Sequence, residues 1–247
     1  MFESVSRGLR SRRAKGLEGF SLNVELIVDI FDYAKPLGHN EARTNCNLGF
    51  GFLYYAAVRS LRPEHVVVIG SGFGFSVVCL GLGLKDNAKS RLTFVDPSYD
   101  VFKQGPFKTV GGRGYWRDAE SVQEHFSRFG IEHWITHYKL TNKEFFSKYE
   151  DFGLGPVDVA FVDGNHSYDN VKYDFTEILI RSHKNTYIFL HDTNIYIREI
   201  VRNPGVKRWL KLIRRERDLF EFIDFPFSSG VAMVQVLRDD AWKELNY

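Results

Sequence analysis

Apolar and amphipathic segments alternate along the chain in the manner of an α/β protein. Segments rich in β-branched and aromatic residues predict seven strands. These strands are placed at residues 66–69, 91–96, 134–138, 157–164, 187–193, 219–225 and 230–237. Segments with apolar residues every three or four positions predict helices. These helices are placed at residues 20–33, 48–61, 76–84, 118–129, 142–149, 168–182 and 199–215.

The order of these elements decides the topology. The first five strands alternate with helices, which requires parallel strands joined by right-handed crossovers. The last two are separated by Pro226-Phe227-Ser228-Ser229 and predict an antiparallel hairpin. We therefore expect a Rossmann-like, doubly wound α/β sheet with five parallel strands and a C-terminal hairpin, seven strands in all, preceded by N-terminal helices. In such a sheet, ligands bind beyond the carboxyl ends of the strands.

Glycines occupy three alternate positions directly after the first strand. Gly70, Gly72 and Gly74 permit a tight turn and leave no Cβ between the backbone and a ligand. The helix that follows points its free N–H groups at this loop, so the segment predicts a nucleotide-type cradle. The dinucleotide fingerprint G-x-G-x-x-G requires glycine at position 75, where the chain has Phe75. This mismatch disfavours a nicotinamide-dependent oxidoreductase, which we keep as an alternative.

A carboxylate ends the second strand. Asp96 follows the strand that is expected beside the glycine loop. An acidic side chain in this place can accept hydrogen bonds from both ribose hydroxyls of a nucleoside. An ordinary cap at a strand end is the structural alternative, and the preceding glycine cradle favours the ribose site.

Polar clusters end the fourth and fifth strands. The first is Asp163-Gly164-Asn165-His166 and the second is His191-Asp192-Thr193, so two carboxylates and two imidazoles are expected close together. Asp163 and Asp192 with one imidazole form a donor set for a divalent cation, which would lower the pKa of a substrate hydroxyl. A neutral histidine can instead act as a general base without metal. Structural roles, such as a helix cap at Asp163, are the third alternative.

Composition and charge exclude several classes of protein. The 247 residues are 44% hydrophobic and 26% charged, as in an ordinary packed globule. A net charge of +2 gives no electrostatic reason to expect nucleic acid as a partner. Cys46 and Cys79 make neither a disulfide framework nor a zinc pattern. Because the chain has no run of about 18 apolar residues and no apolar leader, we expect a cytoplasmic protein without a membrane partner.

Four motifs of the chain resemble a known family. In chain order they are V-V-V-I-G-S-G-F-G, F-V-D-P, V-D-V-A-F-V-D-G-N-H-S-Y-D-N-V-K-Y-D and F-L-H-D-T. Over about residues 45–237 the chain is similar to the class I S-adenosylmethionine-dependent methyltransferases, and within them to the small-molecule O-methyltransferase-like group. The resemblance implies methyl transfer from S-adenosylmethionine to an oxygen of a small-molecule acceptor. A non-catalytic binding module on the same fold is a further alternative.

The resemblance also implies which residues bind the cofactor. They are Gly70, Ser71, Gly72, Gly74, Asp96, Pro97, Ser98, Thr141, Asn142 and Asp163. The glycine loop would hold the methionine part of the cofactor. Asp96 would hold the ribose, Thr141 or Asn142 would lie at the adenine, and Asp163 would lie near the sulfonium and the acceptor. Val68 is a departure, since many members carry an acidic residue at that position.

The catalytic and metal-binding assignments rest on the two polar clusters. Asp163, His166 and His191 are the catalytic candidates. Metal-dependent relatives bind magnesium through carboxylates at these strand ends, which correspond here to Asp163 and Asp192. His191 stands where some relatives have a second carboxylate. The remaining histidines have no supporting spacing and are expected at the surface or in the core: His39, His65, His125, His133, His137 and His183.

The acceptor pocket is expected at two segments that surround the strand ends. A glycine-rich stretch at residues 101–118 is predicted to be irregular, and residues 20–45 lie before the sheet. Their lysine, arginine and tryptophan content favours an anionic or sugar-like acceptor. We divide the chain into an N-terminal arm and helix, residues 1–45, which would form a lid or acceptor-side element, and a cofactor-binding domain, residues 46–247. A homo-oligomeric state stays open.

Overall fold

The computed structural model describes residues 20–88, 90–99, 102–104, 107–109, 114–194 and 205–245. Its strands are β1 (His65–Ile69), β2 (Arg91–Val95), β3 (Phe102–Gln104), β4 (Phe107–Thr109), β5 (Ile135–Tyr138), β6 (Val157–Val162), β7 (Ser182–His191), β8 (Phe220–Phe225) and β9 (Val231–Val236). Its α-helices are α1 (Val24–Asp29), α2 (Phe50–Leu61), α3 (Phe75–Asn87), α4 (Ala119–Ser127), α5 (Asn142–Ser147), α6 (Tyr168–Ile180) and α7 (Gly205–Ile213). Among these described residues, no helix combines the length and the apolar character needed to cross a membrane.

Seven of the strands form one central sheet in the order β5-β2-β1-β6-β7-β9-β8. The strands β5, β2, β1, β6 and β7 pair in parallel, whereas β9 lies antiparallel between β7 and β8. The chain order reverses between β1 and β6, so that helices cover both faces of the sheet. The doubly wound sheet with five parallel strands and a C-terminal hairpin is thereby confirmed.

The alternation of side chains along β1 explains the two apolar layers. All five residues of this strand are buried. Val66 and Val68 face the layer that contains residues of α1 to α4, whereas Val67 and Ile69 face the layer that contains residues of α5 to α7. A strand covered on both faces needs apolar residues at every position. This requirement is the reason that the apolar run predicted the strand correctly.

The glycine-rich segment contains a second, two-stranded sheet. β3 and β4 pair antiparallel, although residues 101–118 were predicted to be irregular. That prediction was wrong for these two strands. Their sequences, Phe-Lys-Gln and Phe-Lys-Thr, flank Gly105-Pro106, which is a hairpin signal that the high glycine content obscured.

The junction between α6 and β7 also differs from the prediction. α6 ends at Ile180 rather than Ser182, because β7 begins at Ser182 instead of Tyr187. The additional residues of β7 pair with β6 across a register shift between Val157 and Val159. Residues 182–185 are half-buried or exposed, and the buried Thr186 is polar, so this part of the strand lacks the apolar pattern that marks the rest.

Candidate active site

A cavity of about 630 Å³ lies at the carboxyl edge of the sheet. Most of the residues singled out from the sequence line it. They are Gly70, Ser71, Gly72, Asp96, Pro97, Thr141, Asn142, Asp163, His166, His191 and Asp192. Gly74 and Ser98 are not among the lining residues. The structure therefore brings together nearly all the predicted positions and places two of them behind the cavity wall.

The strand order gives the cavity two chemically different ends. Thr141 and Asn142 follow β5 at one end, and the neighbouring strand β2 is followed by Asp96. The glycine loop after β1 lies in the middle. The other end, after β6 and β7, holds what we call the histidine cluster. It consists of His39, Asp163, His166, His191 and Asp192.

The backbone of the glycine loop excludes side chains for two different reasons. Gly70 has φ of +69°, and a Cβ there would lie 2.7 Å from the carbonyl oxygen of Asp163. Gly70 is therefore required for the loop after β6 to pass close to β1. Gly72 has φ of +48°, and no atom lies within 4 Å of the place where a Cβ would stand. A ligand can thus approach the Gly72 backbone directly.

Trp116 supports the glycine loop from behind. Its indole Nε1 donates to the carbonyl oxygen of Gly72 at 3.1 Å, and its ring stacks on Phe126 with 5.3 Å between the centroids. A Cβ on Gly74 would lie 2.9 Å from the Trp116 ring. The side chain of Trp116 is completely buried. The tryptophan that favoured a sugar-like acceptor therefore has no exposed face in this structure.

The Asp96 carboxylate is preorganised at the end of β2. It accepts hydrogen bonds from the backbone N–H groups of Ser98, at 2.7 Å, and of Ser71. Burial raises the pKa of Asp96 to about 6, although these two hydrogen bonds oppose the increase. Ser98 also accepts a hydrogen bond from the backbone of Trp116. Ser98 thus orients the carboxylate without lining the cavity.

The His191 imidazole is held at both nitrogens. Nδ1 lies 2.9 Å from Oδ1 of Asp163 and 3.3 Å from Oδ1 of Asp192. Nε2 lies 2.9 Å from the Ser229 hydroxyl and 3.3 Å from the carbonyl oxygen of Gly38. Burial alone would lower the pKa of His191, but the two carboxylates outweigh it and raise the pKa to about 9. His191 is therefore a cation at neutral pH whose two N–H groups both have acceptors.

His166 is held at one nitrogen. Its Nδ1 lies 3.0 Å from Oδ2 of Asp192, which is a hydrogen-bond distance, whereas its Nε2 lies 3.6 Å from Oδ1 of Asp163. In the neutral form of this imidazole, the first contact assigns the proton to Nδ1 and so places the lone pair on Nε2. Asp192 has φ of +62°, a left-handed conformation that aspartate tolerates better than most residues. This turn directs the Asp192 carboxylate at both imidazoles.

His39 also belongs to the histidine cluster, although from the sequence it was expected only at the surface or in the core. Its ring stacks on that of His191 with 4.2 Å between the centroids, and its Nδ1 lies 3.0 Å from the Tyr54 hydroxyl. Burial lowers the pKa of His39, and the neighbouring charge of His191 lowers it further, so His39 is neutral. No local spacing marks His39 in the sequence, because a distant part of the chain brings it here.

A buried acid beside Asn142 also lines the cavity, and it was not among the site residues predicted from the sequence. Asn142 donates from its side-chain amide to Oδ1 of Asp174, which lies in α6 and lines the cavity. Asp174 falls on the apolar stripe of this helix, next to Val171, Phe175 and Ile178. An acidic residue within such a stripe is the signal that could have identified it.

The cavity fits the cofactor that the resemblance implies. The backbone at Gly72 is open to a ligand, and a fixed carboxylate at Asp96 stands at the adjacent strand end. A glycine cradle beside such a carboxylate suits a nucleoside.

The magnesium site implied at Asp163 and Asp192 fits less well. Donor atoms of His39, Asp163 and His191 lie within 4.8 Å of one another, a mixed set that suits zinc or iron better than magnesium. Both nitrogens of His191 already have hydrogen-bond partners. Oxygens of Asp163 and Asp192 face imidazole nitrogens. A hard cation would have to displace these contacts.

Comparison with known sequences places the chain among methyltransferases. Residues 67–193 match the sequence model of a family described as a methyltransferase domain. Among curated proteins, the uncharacterized protein y4gI of Sinorhizobium fredii (strain NBRC 101917 / NGR234) is 24% identical over 182 residues, or 72% of this chain. The chain spans only 18% of the length of that relative.

Two solved structures illustrate the likeness of the fold. The O-methyltransferase from Bacillus cereus, in complex with S-adenosylhomocysteine, has a TM-score of 0.62 at 16% identity, over 93% of this chain and 97% of that one. The O-methyltransferase TomG from Streptomyces achromogenes, which is involved in tomaymycin synthesis and was solved with S-adenosylmethionine, has a TM-score of 0.59 at 16% identity, over 96% and 99%. At this identity the likeness shows a shared fold.

Proposed function

The chain belongs to this family of methyltransferase domains, and on that premise we propose that it transfers a methyl group from S-adenosylmethionine to an oxygen of a small-molecule acceptor. The two solved structures of this fold contain S-adenosylmethionine or its product. The family match also disfavours the nicotinamide-dependent oxidoreductase. One observation carries the assignment of the chemistry, namely the hydrogen-bonded pair of His166 and Asp192 beside the glycine cradle.

The cofactor would lie along the strand ends. S-adenosylmethionine supplies an electrophilic methyl group, so the protein has mainly to align an acceptor and remove its proton. We assign the backbone of Gly70 to Gly72 to the methionine part and the Asp96 carboxylate to the ribose hydroxyls. Asp163, which follows the strand next to β1, would then lie near the sulfonium charge.

His166 is the general base in this proposal. Asp192 accepts the proton of Nδ1 at 3.0 Å and so leaves Nε2 able to accept a proton from the acceptor hydroxyl. A carboxylate that orients a histidine in this way also stabilises the imidazolium that forms. The Asp163 oxygen at 3.6 Å from Nε2 adds to this stabilisation. His166 is only 7% exposed and lines the cavity, so bulk water competes little with the acceptor hydroxyl for Nε2.

In this proposal neither Asp163 nor His191 is the general base. The two side chains form an ion pair instead. His191 is already protonated and donates from both nitrogens, so it has no lone pair for the acceptor proton. Its contact to Gly38 connects β7 to the segment that precedes α2, and its contact to Ser229 connects β7 to the turn between β8 and β9. We therefore assign His191 to positioning Asp163, and we propose that catalysis proceeds without a metal ion.

The acceptor would enter between the glycine loop and the N-terminal segment. Lys35, Leu37 and His39 all line the cavity, which supports the proposal that residues 20–45 form an acceptor-side element. Lys35 is exposed, and its ammonium lies 5.4 Å from the centroid of the Phe73 ring in the glycine loop. We propose an acceptor that carries an anionic group for Lys35 beside its hydroxyl. The predicted arm at residues 1–19 lies outside the described residues.

Transfer of a labelled methyl group tests this function directly. The full chain is incubated with methyl-labelled S-adenosylmethionine and a panel of small hydroxylated acids, each paired with its neutral ester, with and without excess EDTA. We expect label in the acids, less in the esters because Lys35 loses its partner, and no effect of EDTA. Label that disappears with EDTA and returns with Mg²⁺ contradicts metal-free catalysis. A protein that binds the cofactor and labels no acceptor of any class favours the non-catalytic module.

A further inference from the structure

His39 is the one imidazole of the histidine cluster that has no role in the proposed reaction. Its side chain is buried, and its ring packs against the rings of His191 and Phe75, with centroid separations of 4.2 and 4.6 Å. Its carbonyl oxygen accepts from the backbone N–H of Phe50 at 2.7 Å, and a Cβ on Gly49 would lie 2.1 Å from that oxygen. Contacts to both ring and backbone therefore fix the position of the imidazole.

The Tyr54 hydroxyl determines which nitrogen of His39 carries the proton. Tyr54 is completely buried, and its hydroxyl has one hydrogen-bond partner among the described residues, Nδ1 of His39 at 3.0 Å. A buried O–H group needs an acceptor for its hydrogen, so the phenol donates and Nδ1 accepts. Burial and the charge of His191 lower the pKa of His39 and keep the ring neutral. The single N–H proton of this neutral ring therefore lies on Nε2.

The N–H group at Nε2 of His39 faces the ligand space. No described residue accepts a hydrogen bond from it, and it is not among the fully enclosed polar atoms that lack a partner. Because His39 lines the cavity, this donor is available to a molecule bound there. A ring nitrogen of His39 lies within 4.8 Å of an Asp163 oxygen, and Nε2 of His166 lies 3.6 Å from Oδ1 of Asp163. The donor and the proposed base thus act on the same end of the acceptor.

The chemistry of methyl transfer indicates which atom this donor meets. The acceptor hydroxyl gives its proton to His166, and its oxygen then attacks the methyl group with a lone pair. A hydrogen bond from His39 to that oxygen would occupy electron density that the attack needs. The partner of His39 is therefore a second oxygen of the acceptor. A carbonyl or carboxylate oxygen suits this place, because it accepts a hydrogen bond and brings no proton of its own.

We propose that the Nε2–H group of His39 donates to a carbonyl or carboxylate oxygen that lies one or two carbons from the carbon bearing the reacting hydroxyl. His39 thereby selects 2- and 3-hydroxy carbonyl compounds as acceptors. This inference rests on the proposed function and adds the place of the second oxygen, whereas Lys35 responds only to the charge of the acceptor. His39 is accordingly a specificity residue that orients the hydroxyl toward His166 and takes up no proton itself.

Positional isomers of hydroxy acids test the proposal. Values of kcat/KM for methyl transfer are measured with 2- and 4-hydroxybutanoate and with 2- and 4-hydroxybenzoate, in the wild type, His39→Leu and His39→Gln. The isomers of a pair have equal charge, and their intrinsic reactivities cancel when the selectivities of two proteins are compared. The preference for the 2-isomer should be about tenfold greater in the wild type than in His39→Leu, the equivalent of one hydrogen bond. His39→Gln should keep most of it, because an amide can accept from Tyr54 and donate to the cavity.

His133→Leu is the matched control, since His133 is exposed and does not line the cavity, and it should keep the wild-type selectivity. Equal selectivity in the wild type and His39→Leu, or labelling confined to acids with a remote carboxylate, would overturn the proposal. A selectivity that His39→Gln fails to restore would assign it to ring packing, which also overturns the proposal. Loss of all transfer in both His39 variants would make His39 the base instead.

The failure of this inference is distinguishable from that of the proposed function. A wild type that labels none of the acids would overturn the proposed function, and this inference with it. Should His39→Leu not fold, Tyr54→Phe replaces it. Without the phenol, the proton of His39 is free to move to Nδ1, so the preference for the 2-isomer should fall, and an unchanged preference would overturn the proposal.

Discussion

Replacement of His166 by alanine should lower kcat by about 10²- to 10⁴-fold, the usual contribution of a general base. The affinity for S-adenosylhomocysteine should stay near the wild-type value, because His166 faces the acceptor and not the cofactor in our assignment. Asp192→Asn should lower kcat as well, since it removes the acceptor that fixes the Nδ1 proton of His166. The measurements are steady-state methyl transfer and calorimetry on the same preparations.

The chain offers a matched control for this prediction. His183 and Asp158 form a second histidine–carboxylate pair, with 2.7 Å between Nε2 and Oδ1, and neither residue lines the cavity. His183→Ala should therefore leave kcat unchanged. Parallel losses of kcat and of cofactor affinity in His166→Ala would mean that the substitution disturbs the cofactor site. An unchanged kcat would exclude His166 as the base and direct attention to His39.

Replacement of Asp96 by asparagine should weaken binding of S-adenosylhomocysteine by about 100-fold. A buried carboxylate that accepts from two ribose hydroxyls makes two charge-assisted hydrogen bonds, and an amide can accept only one of them. The loss should appear in KM for S-adenosylmethionine more than in kcat, because Asp96 does not contact the reacting atoms.

The pH dependence of binding provides an independent check on Asp96. The carboxylate form binds the hydroxyls, and burial raises its pKa to about 6 in the free protein. Below that pH the proton competes with the ligand, so the affinity of the wild type should decline by up to about tenfold per pH unit. Asp96→Asn should show a smaller decline than the wild type between about pH 5 and about pH 8, because only the wild type has the Asp96 carboxyl to titrate. Asp174 also lines the cavity, and burial raises its pKa to about 7, but it titrates in both proteins. A wild-type decline no larger than that of the variant would refute the ribose assignment.

The cradle and the strand-end acids were predictable because their signals are local. An apolar run, three alternating glycines and a carboxylate at the next strand end all follow one another in the sequence. Parallel pairing then brings Asp163 and Asp192 to one edge, because the carboxyl ends of neighbouring parallel strands coincide. The sequence thus predicted the sheet and most of the cavity lining.

The residues that the sequence did not reveal depend on contacts between distant segments. His39 reaches His191 only because the Gly38 turn packs against Ser229 and the end of β7. Trp116 belongs to the glycine-rich segment that was expected to build the acceptor pocket, yet it is completely buried and donates its indole N–H to the carbonyl oxygen of Gly72. Neither position has a periodicity of its own. Sequence patterns report which face of an element is buried, but they do not report which loop covers it.

The different roles of the two catalytic histidine candidates likewise depend on tertiary geometry. His166 and His191 stand in similar sequence contexts, each within a residue or a few residues of an aspartate. The structure distinguishes them, because His191 has hydrogen-bond partners at both nitrogens, whereas His166 has one among the described residues at Nδ1 and none at Nε2. That difference in bonding separates a positioning cation from a base.

Calorimetric titration of the full chain with S-adenosylhomocysteine tests the central claim most directly, since the cradle, Asp96 and the cavity are all assigned to this ligand. We expect saturable binding with a Kd in the micromolar range, on the order of −8 kcal/mol, and no comparable heat with NADH. An absence of heat with S-adenosylhomocysteine at millimolar concentration, or tight binding of NADH in its place, would contradict the account.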